Sequence, residues 1–304
     1  MVRYILKRMG IALITVLVLA TATFFLSKLL PGDPFMNEKI PQSVQEKQRA
    51  YYGLDKPVVQ QYFIYMSNLI RGDLGTSIKF VGREVTDIIA EFFPVSAKLG
   101  LISMIFAELT GMLFGILCVQ FRNRWPDYVL MVFAILGIAL PSMVIGPLFR
   151  YLFAVKLQWL PVGGWGDFKQ ILMPAFVMGL GTIAGNTRSM RACMLAVTTQ
   201  DYVKTARSKG MKPVRVVMKH ELKNSLVPMI TGLGPAIAGV LMGSFVVEQI
   251  FVIPGLGKHF VNAVSTLDYP LIMGLTIFYG SFLVVMNLLV DILYGVVDPR
   301  IRVS

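Results

Sequence analysis

The sequence predicts an all-α, polytopic membrane protein, and three observations support this fold class. Hydrophobic residues make up 55% of the 304 residues and charged residues only 15%, a composition unlike that of a soluble globular domain. Six long stretches approach the length of about 20 apolar residues that a bilayer core of about 30 Å requires. Lys and Arg also concentrate in alternate connections between these stretches.

The six apolar stretches are predicted to be transmembrane helices, with five or seven spans as the alternative counts. The first resembles a signal peptide at Ala20-Thr21-Ala22, but its apolar run continues too far for a signal core, so it is predicted to remain as an anchor. Pro141 and Pro147 are predicted to bend the third stretch. The stretches are Met9 to Leu30, Val95 to Phe121, Tyr128 to Leu152, Ile171 to Gly185, Leu226 to Ile253, and Leu271 to Val297.

The distribution of basic residues predicts that both termini are cytoplasmic. More than half of the 29 Lys and Arg residues lie at the termini, in the second-to-third connection and in the fourth-to-fifth connection. The opposite short connections carry few basic residues, which is the asymmetry that orients membrane proteins. The formal net charge of +12 mostly reflects this rule, so no nucleic-acid partner is predicted.

The chain therefore divides into three predicted regions. Residues 1–30 form a cytoplasmic tail and the first helix, 31–94 an extracytoplasmic segment, and 95–304 a five-helix core with a cytoplasmic loop at 186–225. Within 31–94, Pro57 to Arg71 has the apolar spacing of an amphipathic helix. A small cap on the outer membrane surface is favoured there over an element that contacts substrate. The predicted apolar side of that helix is formed by Val58, Tyr62, Met66, Leu69 and Ile70.

The segment TTQDYVKTARSKG, residues 198–210, is predicted to be a short helix that docks a partner. Thr198 and Asp201 have the spacing of a capping box. Gly210 suits the left-handed residue that ends a helix, and Pro213 prevents its continuation and opens a second helix. Small side chains such as Ala206 predict a low surface that another protein can approach closely.

The second cytoplasmic helix is predicted to be amphipathic, and its role has two interpretations. Its apolar stripe lies beside basic side chains, so it either lies at the lipid interface among anionic headgroups or belongs to the docking region. The stripe consists of Val214, Val217, Met218 and Leu222, beside Arg215, Lys219 and Lys223.

Catalytic and metal-binding patterns are absent from the sequence. There is no G-x-x-x-x-G-K-[ST] phosphate loop, and no nucleophile stands in a G-x-S-x-G turn. His220 and His259 fall on opposite sides of the predicted membrane, so they cannot share a metal. No catalytic residue, metal site or cofactor of its own is therefore predicted for this chain.

The predicted spans contain a carboxylate and several pairs of glycines, and each needs a structural explanation inside a membrane. Glu108 lies mid-span, and a structural hydrogen bond to a neighbouring helix is favoured over a role in translocation. Three small-xxx-small pairs predict close helix packing: Gly111 with Gly115, Gly181 with Gly185, and Gly239 with Gly243. After the fifth stretch, Pro254, Gly255 and Gly257 break the chain behind Glu248. This turn is predicted either to shape an outer gate and the surface that faces an outer binding partner, or simply to connect two helices.

The loop from Asp201 to Pro228 resembles the cytoplasmic signature of ATP-binding-cassette importer permeases of the peptide and nickel branch. Lys204 and Thr205 stand where the wider superfamily has Glu and Ala, a departure that is usual in this branch. Matching motifs cover almost the whole chain: LPGDP at 30–34, YGLDKP at 52–57, RGDLG at 71–75, VEQIF at 247–251, IPGLG at 253–257, DYP at 268–270 and DPR at 298–300.

The resemblance implies a type I importer permease fold in the plasma membrane of a prokaryote, closest to the first permease of oligopeptide importers, with dipeptide and nickel permeases also similar. It implies a second, homologous permease, two cytoplasmic ATPases that hold ATP and Mg, and an outer peptide-binding protein. The residues implied in ATPase coupling are Asp201, Tyr202, Val203, Thr205, Ala206, Arg207, Lys209 and Gly210. An ion-gradient-driven secondary transporter and a membrane scaffold remain as alternatives, although neither explains the ordered motifs.

Overall fold

In a computed structural model, which describes residues 2–29, 31–32, 42–226 and 244–297, the chain consists of helices joined by short connections. An isolated bridge between Thr76 and Glu84 is the only strand-type pairing within those ranges. The prediction of an all-α protein is confirmed for the part of the chain that is described.

The described helices follow one another in this order along the chain. The first group is α1 (Val2–Leu29), α2 (Gln42–Tyr51), α3 (Val58–Ile70), α4 (Val85–Gln120) and α5 (Trp125–Ala139). The second group is α6 (Ser142–Phe149), the π-helical segment π1 (Arg150–Lys156), α7 (Phe168–Thr198), α8 (Asp201–Ser208) and α9 (Pro213–Val216). The last group is the π-helical segment π2 (Val217–Leu222), α10 (Phe245–Ile250), α11 (Leu256–Ser265) and α12 (Tyr269–Val297).

Four of the described helices are long and apolar enough to cross a membrane: Arg8–Leu29, Val85–Gln120, Phe168–Thr198 and Tyr269–Leu289. A further pair, Trp125–Ala139 with Ser142–Lys156, is bent by 112° at its break and corresponds to the third predicted stretch. The bend lies at Pro141, where it was expected from the missing amide proton of proline. Most of the fifth predicted stretch lies outside the described residues.

Two predicted spans are longer in the structure than in the sequence interpretation. The second begins at Val85 rather than Val95, because Val85 and Ile88 are fully buried and extend the helix below the purely apolar stretch. The predicted end of the fourth span at Gly185 is wrong, since α7 continues to Thr198. Its start is fixed by a capping box in which Asp167 and Gln170 each accept a backbone amide.

The chain forms two compact units, the first of which combines residues 1–94 with 255–304. In this unit α1 packs along α12, where Leu19 lies directly against Gly280. The fully buried Asp268, just before α12, accepts hydrogen bonds from the Ser77 hydroxyl and from the amides of Ile78 and Lys79, both at 3.1 Å. A charged acceptor with several donors therefore fixes the 71–84 connection to the start of α12.

Helix α3 confirms the amphipathic helix predicted at Pro57 to Arg71 and confirms its predicted face in part, since Tyr62, Met66 and Leu69 are half-buried. Tyr62 packs towards α1 and shares a hydrogen bond of 2.9 Å with Thr21. Val58 and Ile70, in contrast, are 45% and 83% exposed. The 3.6-residue period placed them on one stripe, whereas their positions at the two ends of the helix leave them beyond the packed interface.

The second unit contains residues 95–254 and has a core between α4, α6, α7 and α10. A methyl group at Gly111 would lie 2.6 Å from the Asn186 Cβ, and one at Gly115 would lie 2.5 Å from the Met190 Cβ. These glycines therefore allow α4 and α7 to approach closely, as predicted. Gly181 has nothing within 4 Å of its Cβ position among the described residues, and the same is true of Gly185. The pair at Gly239 and Gly243 lies outside the described residues.

Candidate functional site

Helix α8 (Asp201–Ser208) is a separate short helix, as predicted, but its start differs from the predicted capping box. Gln200 is the N-cap residue and makes no side-chain capping bond. Thr198 is still part of α7, and its hydroxyl donates to the Leu195 carbonyl at 2.8 Å. The capping-box interpretation is therefore wrong, because a threonine inside a helix can bond back to its own preceding turn. Asp201 remains favourably placed in the first turn of α8, near the positive end of the helix dipole.

One face of α8 is buried against its own chain. Val203 is fully buried and Ala206 is 5% exposed, and both pack with Val216 of α9. Val197 and Met211 complete this apolar cluster. Two of the predicted coupling residues, Val203 and Ala206, therefore support the helix from inside, and Ala206 does not contribute a low outer surface.

The opposite face of α8 is exposed and carries polar and charged groups. Asp201 and Lys204 form a solvent-exposed ion pair of 3.0 Å on this face. Tyr202 is 43% exposed and supplies a large apolar surface beside them. The remaining exposed positions of the predicted set are Thr205, Arg207, Lys209 and Gly210. Helix α8 therefore has one face buried against its own chain and one face exposed.

Gly210 ends the α8 turn as its position in the sequence predicted. Its φ is +71°, in the left-handed region that favours glycine, and its amide donates to the Arg207 carbonyl at 2.9 Å. Pro213 then occupies the first turn of α9, where its missing amide proton leaves no bond unmade. The chain thus reverses within four residues and brings α9 and π2 alongside α8.

An ion pair between Arg207 and Glu221 was not predicted. The Arg207 guanidinium donates to the Glu221 carboxylate at 2.7 Å, and Glu221 is 1% exposed on π2. The sequence did contain a signal for this partner. Glu221 is the only acidic residue between Asp201 and Glu248, within a stretch that carries many basic residues.

A second ion pair with a buried carboxylate lies between α5 and α7, and it too was missed. Arg191 donates to both carboxylate oxygens of Asp127, each at 2.8 Å. Asp127 is 2% exposed and also accepts the Asn123 amide at 3.2 Å. Arg191 falls within the predicted cytoplasmic loop at 186–225, whereas in the structure it lies inside α7 and joins that helix to α5.

The predicted outer-gate residues lie around α10 and α11. Glu248 is fully buried on α10, so its carboxylate does not form part of a surface. Arg150 donates to the Ile250 carbonyl at 2.7 Å, and the Gly164 amide donates to the Phe251 carbonyl at 2.9 Å. These bonds hold the end of α10 in place before Pro254. Gly255 is the N-cap of α11, and Gly257 is buried in its first turn.

Glu108 lies on α4 and faces α7. It is 8% exposed and lies beside the Asn186 side chain, but within the described part of the chain neither its Oε2 nor the Asn186 Nδ2 has a hydrogen-bond partner. No group of three or more His, Cys, Asp or Glu side chains able to hold a metal occurs among the described residues. The mid-span carboxylate therefore stands beside an amide, within the closely packed α4–α7 interface.

Comparison with known proteins gives matches over the whole chain. Residues 111–303 match the family model described as "Binding-protein-dependent transport system inner membrane component", and residues 1–100 match the model for the N-terminal part of such membrane components. The dipeptide transport system permease protein DppB of Bacillus subtilis (strain 168) is 41% identical over 303 residues, which are 99% of this chain and 98% of that protein.

Oligopeptide permeases are similar to the same extent. The oligopeptide transport system permease protein OppB of Haemophilus influenzae is 42% identical over 305 residues, which are 99% of this chain and 100% of that protein. OppB of Escherichia coli (strain K12) is 39% identical with the same coverage. The resemblance noted in the ordered sequence motifs therefore extends along the full length of these proteins.

Proposed function

Because this chain belongs to the family of binding-protein-dependent transport system inner membrane components, we propose how its described surfaces serve transport. It is a permease subunit of an ATP-binding-cassette importer for oligopeptides or dipeptides, a multi-pass protein of the plasma membrane. We infer six spans with both termini in the cytoplasm, which places α8 and α9 on the cytoplasmic side and the end of α10 outside.

Membership of this family also supports a proposal for the partners. The permease pairs with a second, homologous permease, two cytoplasmic ATPases that bind ATP and Mg, and an extracytoplasmic peptide-binding protein. The ATPases supply the energy, since this chain has no phosphate loop. Its own residues form half of the pathway and the contact surface for one ATPase.

The observation that supports coupling most directly is the two-faced helix α8. Its inner face is fixed by Val203 and Ala206, so the exposed Tyr202, Thr205 and Lys209 project from a rigid support. Movement of an ATPase against this face is transmitted as displacement of a helix rather than absorbed by a flexible loop. A flexible loop of this length would change its own conformation in response to the same movement and would not displace the helices behind it.

Cysteine cross-linking in the purified complex tests this assignment. Thr205→Cys and Lys209→Cys are expected to form cross-links to an ATPase, because both positions are exposed. Ala206→Cys is the matched control on the same helix, since its side chain is buried. Equal cross-linking from the buried and exposed positions, or none from the exposed ones, would contradict the proposed docking face.

The outer gate, or the side that faces the binding protein, is proposed to involve Pro254, Gly255 and Gly257, with Glu248 buried on α10 before them. The support is the network of hydrogen bonds that holds the end of α10 and so determines where the following turn begins. We expect Gly255→Ala combined with Gly257→Ala to lower peptide uptake while basal ATP hydrolysis continues. Unchanged uptake in proteoliposomes would show that this stretch only connects two helices.

A further inference from the structure

A displacement of helix α8 can reach the membrane helices only through the residues that α8 contacts. Its backbone joins α7 through Thr199 and Gln200, and its inner face rests on Val197 near the end of α7 and on Val216 of α9. A cavity of about 550 Å³ lies between this region and the cytoplasmic ends of α4 and α7. Its walls include Val119 and Gln120 on one side and Arg207 and Glu221 on the other. The cavity deprives α8 of a continuous packed contact with α4.

Segment π2, in contrast, is packed against α7. Val217 and Leu222 pack on Met190 and Met194, which are both fully buried. The same cluster includes Met112 and Ile116 of α4. A displacement that reaches π2 therefore passes into two membrane helices through close-packed side chains, which transmit strain well.

Arg207 joins the two parts. Its guanidinium reaches from α8 to Glu221 on π2 at 2.7 Å, and the carboxylate is 1% exposed whereas the arginine side chain is 59% exposed. A buried carboxylate that loses its cation is strongly disfavoured, so the pair resists separation. A π-helical turn within an α-helical region is itself a feature that often occurs at functional sites.

We propose that Arg207 is a positioning residue that makes α8 and π2 move as one body. A movement of the ATPase against α8 then displaces π2 through Glu221, and π2 displaces α7 through Met190 and Met194. This inference rests on the proposed function. It changes the role of Arg207 from a residue that contacts the ATPase to one that holds α8 and π2 at a fixed separation, which is called the strut below. In this proposal the ATPase contacts the exposed face of α8, and the Arg207–Glu221 pair transmits the displacement of α8 to π2.

Spin labels provide a direct test without disturbing the pair. Cysteines that replace the exposed Ser208 on α8 and Lys219 on π2 carry the labels, and their separation is measured in the reconstituted complex with and without ATP. We expect one narrow distance that is the same in both states, and a broad distribution after Arg207→Gln. A separation that changes between the nucleotide states overturns the proposal.

The ratio of peptide transported to ATP hydrolysed gives the functional readout. Arg207→Gln is expected to lower this ratio by about fivefold or more, the usual lower range of coupling between sites. Arg215→Gln is the matched control, since it removes another exposed arginine charge from the adjacent helix and should leave the ratio unchanged. The double variant Arg207→Glu with Glu221→Arg restores the pair with opposite polarity and should recover the ratio.

A wild-type ratio in Arg207→Gln would overturn the strut. Should that variant fail to assemble, Arg207→Lys is used instead, because it keeps the positive charge opposite Glu221. If Arg207→Lys gives a label separation as narrow as in the wild type and a normal transport ratio, the pair only neutralises charge. That result overturns the requirement for a rigid arginine. Failure of the proposed function is distinguishable, because it would appear as absent ATP-driven uptake by the wild-type complex, whereas the label separation is also measurable in the permease alone.

Discussion

Gly210 shows how one backbone angle restricts the choice of side chain. Its φ of +71° is accessible to glycine at no steric cost, whereas the left-handed region costs other residues roughly 1–2 kcal/mol. Nothing lies within 4 Å of its Cβ position, so the cost of a substitution comes from the backbone angle rather than from a clash with neighbours.

This separation of causes makes Gly210 a precise test of the α8 turn. We expect Gly210→Val to lower uptake sharply, because a β-branched residue strongly disfavours positive φ. Gly210→Asn should retain most uptake, since asparagine tolerates the left-handed region. Peptide uptake at equal membrane abundance is the measurement. An equal loss of uptake in both variants would contradict a role in backbone conformation. It would indicate that any side chain at position 210 interferes with transport.

His259 provides a prediction about pH. Burial lowers the pKa of its imidazole, the charges of Lys258 and Arg83 lower it further, and Glu91 opposes them. Its ring also lies 3.9 Å, between centroids, from that of Phe92. Because the folded pKa is below the unfolded value of 6.5, the unfolded chain takes up the proton first as pH falls. Stability is therefore complete above about pH 6.5 and declines as the pH falls from there towards the folded pKa.

Thermal unfolding in detergent measures this decline. His259→Phe removes the titrating group but keeps a ring beside Phe92, so the variant should lose less of its melting temperature between pH 7.5 and 5.5. The control is His220→Gln, which changes the other of the two histidines. A wild-type slope in His259→Phe would show that the acid sensitivity has another origin.

At the scale of the helices, the two glycine pairs differ in what they contact. Gly111 faces the Asn186 Cβ and the Ile183 carbonyl, at 2.6 and 2.9 Å from its Cβ position. Gly181 faces open space among the described residues. Spacing alone predicted the same role for both, because small-xxx-small patterns identify a thin helix face but not its partner.

We expect Gly111→Ala to destabilise the permease by about 1–3 kcal/mol, since helices α4 and α7 must separate to admit the methyl group. Gly181→Ala is the control in the facing helix and should leave the melting temperature of the isolated permease nearly unchanged. Comparing thermal unfolding of the two variants in the same detergent measures the difference. Similar melting temperatures would contradict the close α4–α7 contact.

The helices also show which features the sequence could predict. Local signals were sufficient for α3, for the break at Pro141 and for the end of α8 at Gly210, because each depends on backbone chemistry within a few residues. The length of α7 was underestimated because Asn186 and Arg188 were interpreted as a loop. The polar end of that helix is stabilised by the pairing of Arg191 with Asp127, which is 64 residues distant along the chain.

The candidate site divides in the same way. Its location on α8 could be predicted from the motif, whereas the inward direction of Val203 and Ala206 depends on the position of Val216. The partner of Arg207 is 14 residues away and is brought close by the Gly210 turn. A linear pattern contains the candidates for such a pair but not the geometry that joins them.

For the whole molecule, the decisive property is the source of energy. The chain has no phosphate loop, and its mid-span carboxylate, Glu108, stands within the packed α4–α7 interface beside Asn186. Uptake of peptide into proteoliposomes should therefore require ATP and the partner subunits and should persist when proton and sodium gradients are collapsed.

Glu108→Gln separates the structural role from an ion relay, because the amide keeps the shape and most of the hydrogen bonding while removing the titratable charge. Near-normal ATP-dependent uptake is expected. Uptake that is abolished by ionophores, insensitive to ATP depletion and lost in Glu108→Gln would instead establish a secondary transporter.

The break between α5 and α6 also has a consequence for how the chain is made. Helix α5 has 15 residues and so spans about 22 Å, less than the roughly 30 Å of a bilayer core. Segments α6 and π1 follow at a bend of 112° and add eight and seven residues. Neither half is long enough to be released into lipid alone as a straight helix. We therefore expect the ribosome to synthesise α7, whose Arg191 secures Asp127 at the start of α5, before this bent pair of helices leaves the insertion machinery.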